Sequence, residues 1–165
     1  MKWGLLKNGS LGLVEESERD KILVFDEIQP SVDPNTPLIP LVMSKPVDGK
    51  TIIVNGRTKQ WGHGMEQHLK VGDNPDKALK VFIDDQGFIR DSKYTFQAFD
   101  AWEHTRRPMI LFPKHCDYPH QQFDLTAEGS IRLRDTAYYL GLNQARDKVI
   151  FVKKDDKNKC IFKYA

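Results

Sequence analysis

The sequence predicts an all-β domain assembled from imperfect repeats of one four-strand unit. Three observations predict it. Short β-branched or aromatic runs recur along the chain, glycine-bearing dipeptides punctuate them, and segments about 40 residues apart resemble one another. Amphipathic helical patterns are scarce, so strands dominate.

Candidate strands fall at 11–14, 21–25, 38–43, 51–54, 68–71, 79–83 and 88–90, and then at 95–99, 109–112, 123–125, 131–133, 138–142, 149–152 and 160–164. Between them stand Asn8-Gly9, Asp48-Gly49, Asn55-Gly56, Gln86-Gly87 and Glu128-Gly129, whose glycines can take the positive φ of tight hairpins. Pro30, Pro34, Pro37 and Pro40 cannot donate to a central ladder, so residues 30–40 read as an extended connector. Trp61-Gly62-His63-Gly64-Met65 reads as an exposed, glycine-rich loop.

Composition sets the outer bounds. A chain of 165 residues suits one domain with a real core, and 39% hydrophobic against 29% charged residues excludes gross disorder. No apolar run approaches the roughly 20 residues of a membrane span. Net charge is +2, from 25 Lys and Arg against 23 Asp and Glu, so no broad positive field draws in phosphate backbones and nucleic acid is not expected as a partner. The N-terminus lacks the long apolar stretch of a secretory leader, which leaves a cytoplasmic or a mature secreted form open. Cys116 and Cys160 are compatible with one bridge or with two reduced thiols.

The internal repeat is the most specific signal. Trp3, Val81 and Phe123 each stand six residues before a glycine (Gly9, Gly87, Gly129), and each glycine is followed two residues on by Leu11, Ile89 or Ile131. The glycines lie 78 and 42 residues apart, which fits two units and then one. A second match runs from Leu11-Gly12-Leu13 with Arg19 to Phe25 onto Leu140-Gly141-Leu142 with Arg146 to Val152. The two matches put the N-terminal segment in different registers, so it reads as a β extension or as a partial extra repeat.

From Gln121-Gln122-Phe123 through Glu128-Gly129-Ser130-Ile131 the chain resembles the ricin B-type, or R-type, lectin family, whose β-trefoil repeats end in Gln-x-Trp followed by a glycine turn. The resemblance covers Lys45 to Ala165 as three units: Lys45 to Gln86, Gly87 to Glu128, and Gly129 to Ala165. Phe123 replaces the tryptophan, and its counterparts lie in Leu79-Lys80-Val81 and Lys159-Cys160-Ile161-Phe162. It implies a β-trefoil over residues 44–165 after an N-terminal segment of residues 1–43, with Val81, Phe123 and Phe162 as the shared core. A four-bladed propeller, with the N-terminal segment as the fourth unit, is the competing arrangement.

The resemblance also implies a site. In that family sugar is held in a shallow pocket by an acidic side chain, an aromatic platform and an amide just before the Gln-x-Trp position. Carboxylates and amides suit vicinal hydroxyls, and a ring face suits the C–H side of a sugar. In the second unit the acid falls on Asp100, the amide position on His120-Gln121, and the platform on Trp102 or His115. In the first unit Asn55 replaces the acid and Trp61 can stack. In the third the slot falls on Gly141 or Asn143, with no clear aromatic, and is expected to be silent. The implied function is a carbohydrate-binding module without catalysis or cofactor, whose partner is a glycan or glycoprotein. The alternative is a trefoil that grips a protein, as an inhibitor, toxin-targeting piece, assembly subunit or homo-oligomer. A small hydrolase using His115 and His120 is a third class.

Other chemistry finds little support. His115-Cys116-Asp117 with His120 matches no metal-ligand spacing, so a solvated turn is expected there, and His63 and His68 read as surface residues. Asp84-Asp85 reads as a solvated turn without a second carboxylate placed for acid–base work. The sign-alternating Lys153 to Lys159 reads as a hairpin tip.

Overall fold

Three of the punctuating glycines turn the chain as their sequence context predicts: Gly49, Gly87 and Gly129 have φ of 83°, 91° and 94°. The computed structural model describes residues 2–5, 11–14, 35–60, 64–115 and 119–163. By contacts the chain divides into residues 1–31 and residues 32–165. In the first unit β1 (Lys2–Leu5) pairs antiparallel with β2 (Leu11–Val14), setting Trp3 opposite Leu13. β2 lies where a strand is expected, whereas β1 falls ahead of the first expected strand. The expected strand at 21–25 and the Asn8-Gly9 turn lie outside the described residues.

The larger unit contains β3 (Ile39–Pro40), β4 (Met43–Lys45), β5 (Thr51–Gln60), β6 (Gly64–Gly72), β7 (Lys80–Ile83), β8 (Ile89–Asp91) and β9 (Gln97–Asp100). They are followed by β10 (Ile110–Pro113), β11 (Phe123–Leu125), β12 (Ile131–Leu133), β13 (Tyr138–Leu142), β14 (Val149–Lys153) and β15 (Ile161–Phe162). Three equivalent pairings join the repeats. β7 meets β8 with Val81 opposite Asp91, β11 meets β12 with Phe123 opposite Leu133, and β15 returns to β4 with Phe162 opposite Met43. Each repeat also closes on its own entry strand. Ile39 lies opposite Val81, the Phe123 amide donates to the Gly87 carbonyl at 2.8 Å, and the Phe162 amide to the Gly129 carbonyl at 3.0 Å. A further hairpin in each repeat, β5/β6, β9/β10 or β13/β14, completes four strands. This is an all-β trefoil.

The pairing explains which side chains are apolar. Val81 and Phe123 are fully buried and Phe162 is 2% exposed, so the three predicted core residues meet inside. Around them Ile52, Phe99 and Leu140, one from each repeat, are also fully buried, and Phe99 sets its ring edge-on to Phe123 at 6.0 Å. No single repeat has enough apolar surface to bury these side chains alone. Cys160 packs in the same core as a free thiol, which burial pushes up to about 12, while Cys116 lies outside the described residues. No helix among the described residues is long and apolar enough to cross a membrane.

Two local expectations are corrected. Asn55-Gly56 is not a turn: β5 runs through it to Gln60, and the extra residue is absorbed as a bulge between Val54 and Gly56. A bulge uses glycine as readily as a turn does, which is why the dipeptide misleads. Gly64 and Met65 likewise begin β6 rather than forming a loop, and residues 61–63, which include Trp61 and His63, lie outside the described residues. Asp84, by contrast, caps its turn as expected, with Oδ1 accepting the amides of Gln86 and Phe88 at 3.0 Å each.

Two measurements probe this arrangement. Phe123→Ala removes a fully buried ring from the shared core and is expected to lower unfolding free energy by about 3–5 kcal/mol in urea titrations; a loss under about 1 kcal/mol contradicts a common core. Asp124 on β11 accepts from Arg132 Nη2 at 2.9 Å and Arg134 Nε at 3.0 Å. Partial burial alone would raise its carboxyl, but the two guanidiniums outweigh it and hold the group below its ordinary range. Its contribution is therefore full above about pH 4 and lost as pH falls through the lowered value. Asp124→Asn should flatten the decline of stability below about pH 4, and an unchanged acid limb would show that the pair contributes nothing.

Candidate functional site

In the second repeat β9 ends at Asp100, just after the fully buried Phe99, and the chain then turns out through residues 101–108 before returning as β10. Asp100 is 3% exposed, so its carboxylate must be satisfied internally. Oδ1 accepts the Trp102 amide at 2.8 Å, which caps the outgoing turn, and Oδ2 accepts Nε2 of Gln121 at 3.0 Å. The imidazole Nε2 of His120 lies 3.4 Å from Oδ1. Ala101 donates its amide to the His120 carbonyl at 2.9 Å, so the two segments are stitched by backbone as well.

Gln121 is the hub. It is fully buried, two residues before Phe123, in the short 3-10 turn Pro119–Gln121. Besides holding Asp100, its Nε2 donates to the Pro113 carbonyl at 3.2 Å and its Oε1 accepts the His115 amide at 2.8 Å. One amide thus ties together the end of β9, the end of β10 and the segment entering β11. Outside this hub the ring of His120 stacks on Trp102, 6.4 Å between centroids at 25°. Trp102 is 49% exposed, while the Asp100 carboxylate that accepts its amide is buried. The structure brings Asp100, Trp102, His120, Gln121 and the backbone of His115 to one place.

The loop that carries Trp102 is braced from both sides by residues the sequence reading did not single out. Arg107 Nη2 meets both oxygens of Glu66 at 3.0 and 3.2 Å, and Glu66 is buried at 2% exposure. His104 sets its ring against Tyr138 at 4.7 Å and Phe151 at 6.0 Å. Both contacts join residues far apart in the chain, and neither pair has a local spacing that could have announced it.

The other repeats differ at the same places. Phe99, Ile52 and Leu140 are equivalent buried residues, so Ile53 and Gly141 stand where Asp100 does. Two residues before each core plug, Leu79 and Cys160 replace Gln121. A Cβ on Gly141 would come within 2.5 Å of Val152 and 2.9 Å of the Asn158 carbonyl, so no side chain fits there. Asn143 caps its own turn, with Oδ1 accepting the amides of Asp147 and Lys148. Asn55 is exposed at the bulge, two residues beyond Ile53, and Trp61 lies outside the described residues.

Comparison with known proteins agrees with the architecture. The chain is similar to the C-terminal half of an earthworm R-type lectin solved in complex with GalNAc, with a TM-score of 0.57 at 15% identity over 78% of this chain and 99% of that one. A mutant of an earthworm lectin C-terminal domain, solved with 6'-sialyllactose, gives a TM-score of 0.47 at 18% identity over 70% and 98% of the two chains. The fold is therefore the β-trefoil that R-type lectin domains have. No family model and no curated protein matches the sequence.

Removing the brace should be measurable without any ligand. Arg107→Ala leaves the buried Glu66 carboxylate beside the more distant imidazole of His68, at 3.8 Å, and is expected to lower unfolding free energy by about 2 kcal/mol, below the usual range for buried pairs because the guanidinium is partly solvated. Adding Glu66→Gln should restore part of that loss. Equal stability of Arg107→Ala and the parent in urea titrations would mean the contact is idle.

Proposed function

We propose that the protein is a lectin-like module that binds a glycan, without catalysis, through the second repeat. The observation that carries this reading is the pairing of a buried, internally fixed carboxylate, Asp100, with an exposed indole, Trp102, across His120. Vicinal hydroxyls need a rigid bidentate acceptor, and the C–H face of a pyranose needs an apolar plate. A cluster that holds a fixed carboxylate beside a half-exposed indole offers both kinds of group to a sugar. The similar earthworm lectin domain, solved with GalNAc, supports the same reading from the side of the fold.

The slots of the first and third repeats lack the acid and the amide, so one strong site per chain is the expectation and affinity from a single shallow pocket is modest. Those lost slots favour a second reading, a trefoil that holds a protein through its loops. The two separate cleanly: a partner retained in excess free sugar supports the second.

The test is a glycan array on the whole chain followed by titration of the best ligand. Asp100→Ala is expected to abolish binding and Trp102→Ala to weaken it by roughly tenfold, the value of a lost ring contact. Binding that survives Asp100→Ala unchanged, or an array without a single responsive glycan, removes the proposal.

A further inference from the structure

Two hairpins of the larger unit join one repeat to the next, and they share one register. In β7/β8 Val81 pairs with Asp91 and Ile83 with Ile89, and in β11/β12 Phe123 pairs with Leu133 and Leu125 with Ile131. The β1/β2 pair of residues 1–31 has the same register: Trp3 pairs with Leu13 and Leu5 with Leu11. In the sequence Gly9 stands between them where Gly87 and Gly129 turn the other two. Of the two matches that the N-terminal segment makes in sequence, this pairing follows the one that aligns Trp3 with Phe123.

In the larger unit these pairings come as a closed set of three. Val81, Phe123 and Phe162 fill the centre and β15 with β4 makes the third pairing, so the set has no place for a fourth. Opposite residues share a face and alternate along the strands, so the register puts Trp3, Leu5, Leu11 and Leu13 on one face of β1/β2. The two junctions of the larger unit are also tied on the opposite face. Arg90 lies over the Phe82 ring at 5.8 Å, and Arg132 donates to Asp124 at 2.9 Å. At the matching places β1/β2 sets Gly4 opposite Gly12. A two-stranded ribbon without such a tie is marginal by itself in water, so its stability has to come from what covers the apolar face.

We infer that β1/β2 is an assembly element whose partners are the same hairpins of two further copies of this chain. Three such hairpins about a threefold axis reproduce the six strands that β7/β8, β11/β12 and β15/β4 bring together, with three copies of Trp3 in the places of Val81, Phe123 and Phe162. Two copies would leave the ring open, and an unrelated partner would have to supply two hairpins of this register. A head-to-tail contact that closes after three steps ends in a trimer and not in a filament. The assembly asks nothing of the larger unit, so the inference does not rest on the Asp100 reading. Where both hold, three Asp100 clusters share one particle and gain by avidity.

The experiment is sedimentation equilibrium on the full chain at concentrations up to about 100 µM. The expected mass is three times that of the 19.1 kDa chain. Trp3→Asp and Leu13→Asp are each expected to give monomer, while Trp3→Phe, which supplies the residue found at 123 and 162, keeps the trimer. The larger unit has its own core, so its urea midpoint should stay at the parent value in all three variants. With Trp61 and Trp102 changed to Phe, Trp3 is the remaining tryptophan, and its fluorescence should be that of a buried indole and shift to the red when Leu13→Asp is added. Monomer or dimer at every concentration, or a trimer that survives either aspartate variant, overturns the inference and leaves the Asp100 reading intact. A lowered midpoint of the larger unit in Trp3→Asp overturns it too, because Trp3 would then serve that unit's own core.

Discussion

The constraint on which the larger unit depends is closure: β15 at the end of the chain must pair with β4, more than a hundred residues earlier, before the core has a floor. Phe162, Phe123 and Val81 each arrive at the centre from a strand that is hydrogen-bonded both to its own repeat and to the next. Until all three are present, each repeat exposes an apolar face that it cannot cover. Stability therefore belongs to the ring as a whole, and the loops outside it are free to differ.

That freedom is visible in how the second repeat builds its polar cluster. Gln121 lies two residues before Phe123, so the burial of the phenyl ring fixes where the amide sits. The amide then fixes Asp100, the end of β10 and the backbone of His115. The core thus orients the carboxylate, and the Arg107–Glu66 contact and the packing of His104 hold the loop that presents Trp102. A rigid scaffold with a braced loop is the arrangement in which polar groups can be held ready for a ligand at little entropic cost.

Much of this was legible in the sequence because it is written locally. The six-residue interval from Phe123 to Gly129 records one strand and its turn, and its recurrence at Val81 and Gly87 records the repeat. The resemblance carried by that register is what singled out Asp100, His120 and Gln121 as site candidates. What was not legible depends on partners distant in the chain or on how backbone irregularities resolve. Asn55-Gly56 fits a turn and a bulge equally, and only the long pairing of β5 with β6 decides between them. Glu66 and Arg107 have no local relation at all. The closing of the third slot depends on the space around Gly141, set by Val152 and by the Asn158 carbonyl, and no spacing in the sequence encodes that volume.

Pseudo-symmetry supplies a physical criterion for separating stability from function. Where the three repeats agree, as at Ile52, Phe99 and Leu140, the shared requirement is burial, and apolar side chains meet it at no electrostatic cost. Where one repeat places a carboxylate at a position the others leave apolar or empty, desolvation opposes the choice unless hydrogen bonds or charges beside it offset the cost. Asp100 departs in this way from Ile53 and Gly141, and Asp91 from Met43 and Leu133. The two departures are not alike, however. Asp100 is held by an amide hub and an imidazole, so its cost is offset within the fold. Asp91 instead caps a turn through the amides of Lys93 and Tyr94, with the Lys93 charge nearby, and these offset only part of the desolvation that raises its carboxyl.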